Sequence, residues 1–176
     1  SKSMYDRLLK LRTHGISKLD MEENHGGWYY EMHELGYNYR IPDINAALGI
    51  SQLDKANEGL KKREHIAKKY DTAFSNHPAI KVQKREKGYS HAYHLYVMEV
   101  EDRKGLYDYL HASGVYAQIH YIPVHLLPYY RKKGWKKGDF PKVERYYEHC
   151  ISLPMYPTLK PEEQEFVIQQ VLKYYT

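Results

Sequence analysis

Apolar residues recur at helical spacing from the start of the chain. Met4, Leu8 and Leu11 lie three and four residues apart, so they form one stripe on a helix. This spacing predicts a helix over residues 3–13. Gly15 follows the stripe and is expected to end the helix, because glycine commonly occupies the position just past a helix end.

A second helical pattern follows a polar stretch, residues 16–34, that predicts a loop or a short strand. It covers residues 42–57, where Pro42 fits the first turn because no N–H is needed there. The pattern resumes after Gly59 and continues to Phe74. The first part of the chain is therefore predicted to be mainly helical.

The periodicity changes after residue 76. Strands are predicted at 80–84, 90–101 and 115–123, helices at 102–114, 142–150 and 160–175, and an extended loop at 152–159. Thr158 is the candidate cap of the last helix. Short strands with helices between them predict an α+β fold, a small and mainly antiparallel sheet packed with helices. The predicted domains are a helical segment, 1–76, and a small α+β domain, 77–176.

The composition is that of a globular protein with many tyrosines. Hydrophobic residues make up 42% and charged residues 28% of the chain, but 20 residues are tyrosine and only 3 are phenylalanine. Because tyrosine packs its ring and keeps a polar tip, this surplus favours a surface that handles polar ligands or a partner. No apolar run reaches the length of a membrane span, so no membrane association is predicted.

The cysteine and histidine contents argue against disulfides and metals. Cys150 is the single cysteine, which favours a reducing, cytoplasmic location. Among the eleven histidines, His91 and His94 would fall on opposite faces of a strand. His120 and His125 are separated by a proline-containing turn with no standard ligand spacing. We predict no metal site.

The net charge of +5 comes largely from short basic runs at 59–70, 82–88 and 129–139. Such runs are typical of solvated helix faces and loop tips. They could also attract the phosphates of a nucleotide or of a nucleic acid. No motif of a nucleic-acid-binding fold accompanies them, so nucleic acid is not an expected partner.

The first candidate site precedes the helix that begins near Pro42. Asn38 and Arg40 lie just before the helix N-terminus, where free N–H groups favour an anion. An arginine can hold a phosphate or carboxylate through two parallel hydrogen bonds, and an asparagine adds a neutral donor. In the alternative interpretation, Asn38 caps a turn and Arg40 pairs with a surface acid.

The second candidate site is the stretch QIHYIPVHLLPYY, residues 118–130. The predicted strand places His120 and Tyr121 at its end, and Pro123 and Pro128 stiffen the loop that follows. The candidate binding residues are His120, Tyr121, His125 and Tyr129. In the alternative interpretation, the tyrosines pack a domain edge and the histidines have no role.

Five stretches together resemble the C-terminal half of the DegT/DnrJ/EryC1/StrS family of sugar aminotransferases. They are LRTHGI (11–16), LGYNYRIPDINAALGISQL (35–53), KKREHIAKKY (61–70), IHYIPVHLLPYY (119–130) and ISLPMYPTLKPEEQEFVI (151–168). The second and fourth are highly specific, and the resemblance covers essentially the whole chain. It implies the C-terminal small domain of a fold-type I transferase that depends on pyridoxal 5′-phosphate (PLP).

The resemblance also implies residue roles. In the family, the asparagine of the N-Y-R motif reaches across a homodimer to the PLP phosphate of the other subunit, and this role falls on Asn38. Arg40 matches a family arginine and is expected to bind an anion near the same site. Nucleotide-sugar contacts are implied for His120, Tyr121, His125 and Tyr129.

The stretch WYYEMHELGYNYR (28–40) is most similar to the branch of the family in the pseudaminic acid pathway. This implies transfer of an amino group from an amino acid, L-glutamate, to C4 of a UDP-linked 4-keto-6-deoxy sugar for surface or flagellar glycans. The family lysine that forms the Schiff base with PLP lies upstream of the matching region, and no lysine here matches it. We therefore expect the isolated chain to be inactive and the complete enzyme to be a homodimer with shared active sites.

Three alternatives stay open from the sequence. The protein could be part of another nucleotide-sugar aminotransferase or of a sugar dehydratase of the same family. It could be a non-catalytic module that binds a nucleotide sugar or a partner protein. Salt-sensitive binding of DNA or RNA would instead indicate that the basic runs contact nucleic acid.

Overall fold

The computed structural model describes residues 1–18, 21–22, 26 and 28–176. The helices are α1 (Lys2–Leu11), α2 (Asp43–Leu53), α3 (Ala56–Phe74), α4 (Arg103–Ala112), α5 (Pro128–Arg131), α6 (Pro141–His149) and α7 (Pro161–Tyr174). The strands are β1 (Ile16–Ser17), β2 (Glu31–Met32), β3 (Ile80–Val82), β4 (Tyr96–Val100) and β5 (Cys150–Leu153). The residues group into two units, Ser1–Asp54 and Lys55–Thr176.

The second unit is built on an antiparallel sheet in the order β3–β4–β5. Along β4, Tyr96, Met98 and Val100 are buried, while the residues between them are half-buried. Helices α3, α4 and α7 also contribute to the core: Ile66, Ala67, Tyr70 and Phe74, then Leu106 and Leu110, then Val167, Ile168 and Val171. An antiparallel sheet packed with helices confirms the predicted α+β class.

Helix α3 belongs to the core of the second unit. Its apolar face packs against the sheet, and the Gln164 side chain of α7 donates to the Ile66 carbonyl at 2.8 Å. The buried Tyr70 hydroxyl donates to the Pro154 carbonyl at 3.1 Å. The unit boundary therefore falls before α3, earlier than the boundary after residue 76 that the periodicity alone suggested.

The guanidinium of Arg63 on α3 joins three backbone carbonyls. Its Nη1 lies 2.8 Å from the Tyr93 oxygen, 3.2 Å from that of His94 and 3.0 Å from that of Met155. The first two carbonyls precede β4 and the third follows β5. One charged side chain therefore fixes how the chain enters the central strand and leaves the edge strand.

The first unit contains α1, α2 and a small antiparallel pair formed by β1 and β2. This pair lies inside the segment 16–34 that the sequence predicted as a loop or short strand. Residues 19–20, 23–25 and 27 of that segment lie outside the described residues. Helix α2 has no buried residue, although it carries several large apolar side chains.

The prediction of a strand over residues 115–123 was wrong. Within it, only Gln118 pairs, as an isolated antiparallel bridge with Ser152. The edge of the sheet beside β4 is formed by β5, which includes residues that the sequence assigned to a loop. All four β5 residues are buried and Pro154 follows them directly, so no alternation marks the strand in the sequence.

Two helix details also differ from the sequence interpretation. The pattern over 42–57 is divided into α2 and α3 at Asp54 and Lys55, and Gly59 lies inside α3. The cap of α7 is at Lys160, whose backbone N–H donates to the Glu163 carboxylate at 3.0 Å. Thr158 does not cap this helix, because the helix begins at Pro161.

Replacing Arg63 is expected to destabilise the second unit. Arg63→Met leaves three carbonyls without their charged donor, so we expect the free energy of unfolding to fall by about 2–4 kcal/mol. Urea unfolding followed by circular dichroism measures this loss. Lys61→Met is the matched control, since Lys61 is exposed on the same helix, and should change stability by less than about 0.5 kcal/mol. Equal effects of the two variants would contradict the role assigned to Arg63.

Candidate functional site

The first candidate site rests on two glycines in close backbone contact. Gly15 has a φ of +72°, and a Cβ there would lie 1.7 Å from the Glu34 carbonyl oxygen. A Cβ on Gly36 would lie 2.1 Å from the Gly15 nitrogen. Side chains at these two positions are therefore excluded. The close approach brings the segment after Gly36 against the end of α1.

Backbone hydrogen bonds then hold Asn38 beside this helix end. Asn38 forms an antiparallel bridge with Thr13, and the Tyr39 N–H donates to the Arg12 carbonyl at 2.9 Å. The rings of Tyr37 and Tyr39 stack with centroids 4.7 Å apart. Because side chains alternate along an extended segment, the Asn38 side chain points away from this stacked pair. Asn38 is exposed to solvent.

Arg40 lies at the start of α2 with a free charge. It is exposed, and within the described residues no acidic side chain pairs with its guanidinium. The N-cap of α2 is Pro42, and no side chain caps the helix, so the N–H groups of the first turn face solvent. Asp43 in that turn supplies the nearby negative charge. The predicted anion-binding groups are therefore close together along the chain, and none of their side chains is paired within the described residues.

In the second unit, His120 lies just past the bridge between Gln118 and Ser152. It is half-buried, and its Nδ1 lies 2.8 Å from the Ser152 hydroxyl oxygen. The Tyr121 ring meets the His120 ring edge-on at 4.8 Å. Tyr121 itself is 75% exposed. The structure therefore places a fixed imidazole next to an accessible tyrosine.

His125 lies in a different environment from His120. It is buried on the 3-10 turn Val124–Leu126, and its Nε2 donates to the Glu144 carboxylate at 2.8 Å. The same carboxylate accepts the backbone N–H groups of Gly138 at 2.8 Å and of Phe140 at 3.4 Å. Glu144 therefore ties the start of the loop after His125 to its end. A role of His125 in ligand binding would have to act through this anchoring.

The segment between these anchors is basic and aromatic. Tyr129 is 64% exposed, and the Lys133 ammonium lies 4.9 Å from the centre of its ring. Every residue from Arg131 to Phe140 is exposed, and seven consecutive positions there include five cations: Arg131, Lys132, Lys133, Lys136 and Lys137. We call residues 126–137 the cationic loop. Its charge and ring faces suit an anionic ligand that carries a ring.

Ser152 and Glu144 were not found from the sequence. Ser152 lies in a fully buried strand, where the sequence shows no polar pattern. Glu144 had a usable signal, because an acid in the first turn of a helix is favoured by the helix dipole. Its buried contact with His125 depends on residues that are distant in the sequence.

The described residues contain neither a metal-ligand cluster nor an apolar helix of membrane length. No group of three or more histidine, cysteine, aspartate or glutamate side chains there is placed to hold a metal ion. Among the same residues, no helix combines the length and apolarity that crossing a bilayer requires.

Solved structures define the class of protein to which this fold belongs. The putative sugar aminotransferase Spr1654 of Streptococcus pneumoniae, in its PMP form, matches with a TM-score of 0.88 and 28% identity over 98% of this chain and 45% of that chain. Helicobacter pylori PseC, an aminotransferase involved in the biosynthesis of pseudoaminic acid, matches with a TM-score of 0.84 and 28% identity over 99% and 47%. The fold is that of sugar aminotransferases.

The model of the DegT/DnrJ/EryC1/StrS aminotransferase family matches residues 1–172. The chain belongs to this family, as the sequence motifs predicted. Spore coat polysaccharide biosynthesis protein SpsC of Bacillus subtilis is 35% identical over 94% of this chain and 45% of its own length. A UDP-4-amino-4,6-dideoxy-N-acetyl-beta-L-altrosamine transaminase of Campylobacter jejuni is 31% identical over 95% and 44%. The chain thus spans less than half the length of these relatives.

Acid is expected to weaken the tie made by Glu144. The hydrogen bond from His125, followed by those from the Gly138 and Phe140 N–H groups, holds the pKa of Glu144 below its ordinary value of 4.5, against the opposing effect of burial. A lowered pKa gives stability that is complete above the ordinary value and is lost as pH falls through the folded-state value.

The stability gap between wild type and Glu144→Gln should therefore be complete above about pH 5 and shrink below about pH 4. Urea unfolding across this range measures the gap. Glu148→Gln is the control, since Glu148 is exposed on the same helix and, among the described residues, its carboxylate makes only a long contact, 3.8 Å to the Lys137 ammonium. A Glu144→Gln gap that is independent of pH would show that the carboxylate charge is not what stabilises the loop.

Proposed function

We propose that this chain forms part of a PLP-dependent aminotransferase that acts on a nucleotide sugar. The amino group would pass from an amino acid, L-glutamate, to C4 of a UDP-linked 4-keto-6-deoxy sugar used in surface or flagellar glycans. The family match and the altrosamine transaminase relative support this reaction. The observation that carries the proposal is the unpaired Arg40 beside Asn38 and the uncapped start of α2.

These groups fit the phosphate of PLP. A phosphate monoester needs several donors, and a guanidinium, an amide and the first-turn N–H groups of a helix supply them together. When bound, the cofactor supplies the electron sink for amino transfer. Asn38 and Arg40 would hold the phosphate, and so fix the position of the cofactor ring, without taking part in bond changes.

A homodimer would bring these groups to an active site of the second subunit. The support is an exposed apolar face on α2, where Ile44 and Leu48 lie one turn apart and are 83% and 60% exposed. Exposed side chains of this size are typical of an interface. Asn38 lies shortly before this face along the chain, so an interface made by α2 would bring it near the partner.

The second unit would bind the nucleotide sugar. His120 and Tyr121 offer polar groups for sugar oxygens, and Tyr129 offers a ring face. The cations of the cationic loop would attract the diphosphate. His125 would contribute by anchoring this loop through Glu144.

A cytoplasmic location agrees with the single cysteine, which is a free buried thiol.

A second candidate is a different sugar for the same reaction. The 35% identity to the spore coat polysaccharide protein SpsC favours this candidate, because that relative is named for another polysaccharide. Turnover of several UDP- and dTDP-linked 4-keto sugars by the complete enzyme distinguishes the two candidates.

The proposed phosphate site can be tested with a ligand that lacks the aldehyde of PLP. Pyridoxamine 5′-phosphate added to the chain labelled with ¹⁵N should shift the amide signals of Asn38, Arg40 and the first turn of α2 in NMR spectra. Pyridoxamine, which lacks the phosphate, should leave these signals in place, because the donors recognise the anion. Arg40→Gln should remove the shifts, whereas Arg145→Gln, which changes an exposed arginine of the other unit, should keep them. Equal shifts with both ligands would contradict the assignment.

The chain by itself should dimerise and yet have no transaminase activity. We expect sedimentation equilibrium to show a dimer that Leu48→Asp converts to a monomer, because a charge on the α2 face opposes its burial. Incubation with PLP and borohydride should label surface lysines diffusely, since we propose that the cofactor-linking lysine lies in the part of the family's enzymes that this chain does not span. Stoichiometric labelling of one lysine, or turnover of a UDP-linked 4-keto sugar, would contradict this proposal.

A further inference from the structure

The hydroxyl of Ser152 is almost fully buried and contacts one polar side-chain atom. Ser152 is 3% exposed, on the edge strand β5. Its backbone groups are both used by Gln118, which accepts from the Ser152 N–H at 2.7 Å and donates to its carbonyl at 3.0 Å. Among the described residues, the hydroxyl has one hydrogen-bond partner, the His120 Nδ1 at 2.8 Å.

This contact can have either of two proton arrangements. If His120 carried its proton on Nδ1, that N–H would donate to the Ser152 oxygen. The buried hydroxyl proton would then have no acceptor among the described residues, which is costly away from water. If the hydroxyl donates to a bare Nδ1, both groups are satisfied. The second arrangement is therefore the one that the burial favours.

The hydrogen bond made by one ring nitrogen of a histidine determines whether the other nitrogen carries a proton. A neutral imidazole with a bare Nδ1 carries its proton on Nε2. In the described part of the chain, no group is bonded to Nε2 of His120. The ring therefore offers a hydrogen-bond donor on the side away from the sheet, and the Tyr121 ring beside it limits rotation.

We propose that Ser152 is a positioning residue that holds His120 as the Nε2–H tautomer, so that the imidazole donates a hydrogen bond to an oxygen of the nucleotide sugar. Only the identity of the ligand in this inference rests on the proposed function. The orientation and tautomer of His120 follow from the buried contact. A ligand oxygen of the sugar or of the diphosphate would suit this donor, whereas a ligand N–H would not.

The bridge between Gln118 and Ser152 explains why this geometry is reproducible. It fixes the backbone two residues before His120 against the residue that supplies the hydroxyl. The imidazole and its partner are thus set by the same pair of backbone hydrogen bonds. A histidine on an untethered loop would exchange between both tautomers.

The test uses the chain labelled with ¹⁵N-histidine. Long-range ¹H–¹⁵N correlation spectra near pH 8.5, where histidines are largely neutral, distinguish a bare ring nitrogen from a protonated one. His120→Gln identifies the signals. We expect a bare Nδ1 and a protonated Nε2 in the wild type, a mixture of both tautomers in Ser152→Ala, and recovery of one tautomer in Ser152→Thr. Ser90→Ala, which changes an exposed serine, is the control and should match the wild type.

A protonated Nδ1 in the wild type would overturn the proposal, as would an unchanged tautomer in Ser152→Ala. Far-UV circular dichroism checks that each variant is folded. If Ser152→Ala does not fold, Ser152→Cys keeps the size and provides only a weak donor, so a partial loss of the single tautomer is expected there.

A second arm separates this proposal from the proposed function. UDP added to the wild-type chain should shift the Nε2–H signal, and the shift should be smaller by several-fold in Ser152→Ala. If Nδ1 is bare but UDP shifts no signal of His120, the role of Ser152 is supported and nucleotide binding at His120 is contradicted. A UDP effect of equal size in both proteins would contradict the role of Ser152 and leave nucleotide binding intact.

Discussion

The guanidinium of Arg63 joins segments that the apolar core alone would leave free to slide. Apolar contacts are non-directional, so they favour burial of α3 against the sheet without fixing where strands begin and end. A charged nitrogen, Nη1 of Arg63, that lies within hydrogen-bond distance of three carbonyl oxygens does fix these points. The last of the three carbonyls belongs to Met155, shortly after the strand that carries Ser152. The geometry at His120 therefore depends on a side chain far from it in the sequence.

The two histidines of one short motif have opposite surroundings. His120 lies at the rim of the sheet beside a buried hydroxyl, and its other ring nitrogen has no partner among the residues that the structure describes. His125 is buried against a carboxylate that also holds two backbone N–H groups. Both are held by a group from the segment Pro141–Leu153, which forms α6 and β5. Rigid elements thus set the loop that carries the candidate ligand contacts.

The sequence predicted what depends on local pattern and missed what depends on distant partners. Helices α1, α4, α6 and α7 lie where the spacing of apolar residues predicted them, and the family motifs were confirmed. The strand β5 was missed because it is buried on both faces and so has no alternation.

The candidate site was predictable in part. The grouping of Asn38 and Arg40 before α2 is local, and the sequence shows it. The anchoring of His125 by Glu144 needs two segments 19 residues apart to meet, which no local pattern reveals. The environment of His120 depends in the same way on Ser152, which is 32 residues away.

The tie made by Glu144 separates the base of the cationic loop from its tip. Both ends of the loop are fixed at one carboxylate, while residues 128–137 between them are exposed. Residues at the tip can therefore be exchanged, inserted or deleted with little effect on folding. Such a loop is a position where the sequence can diverge while the scaffold stays the same.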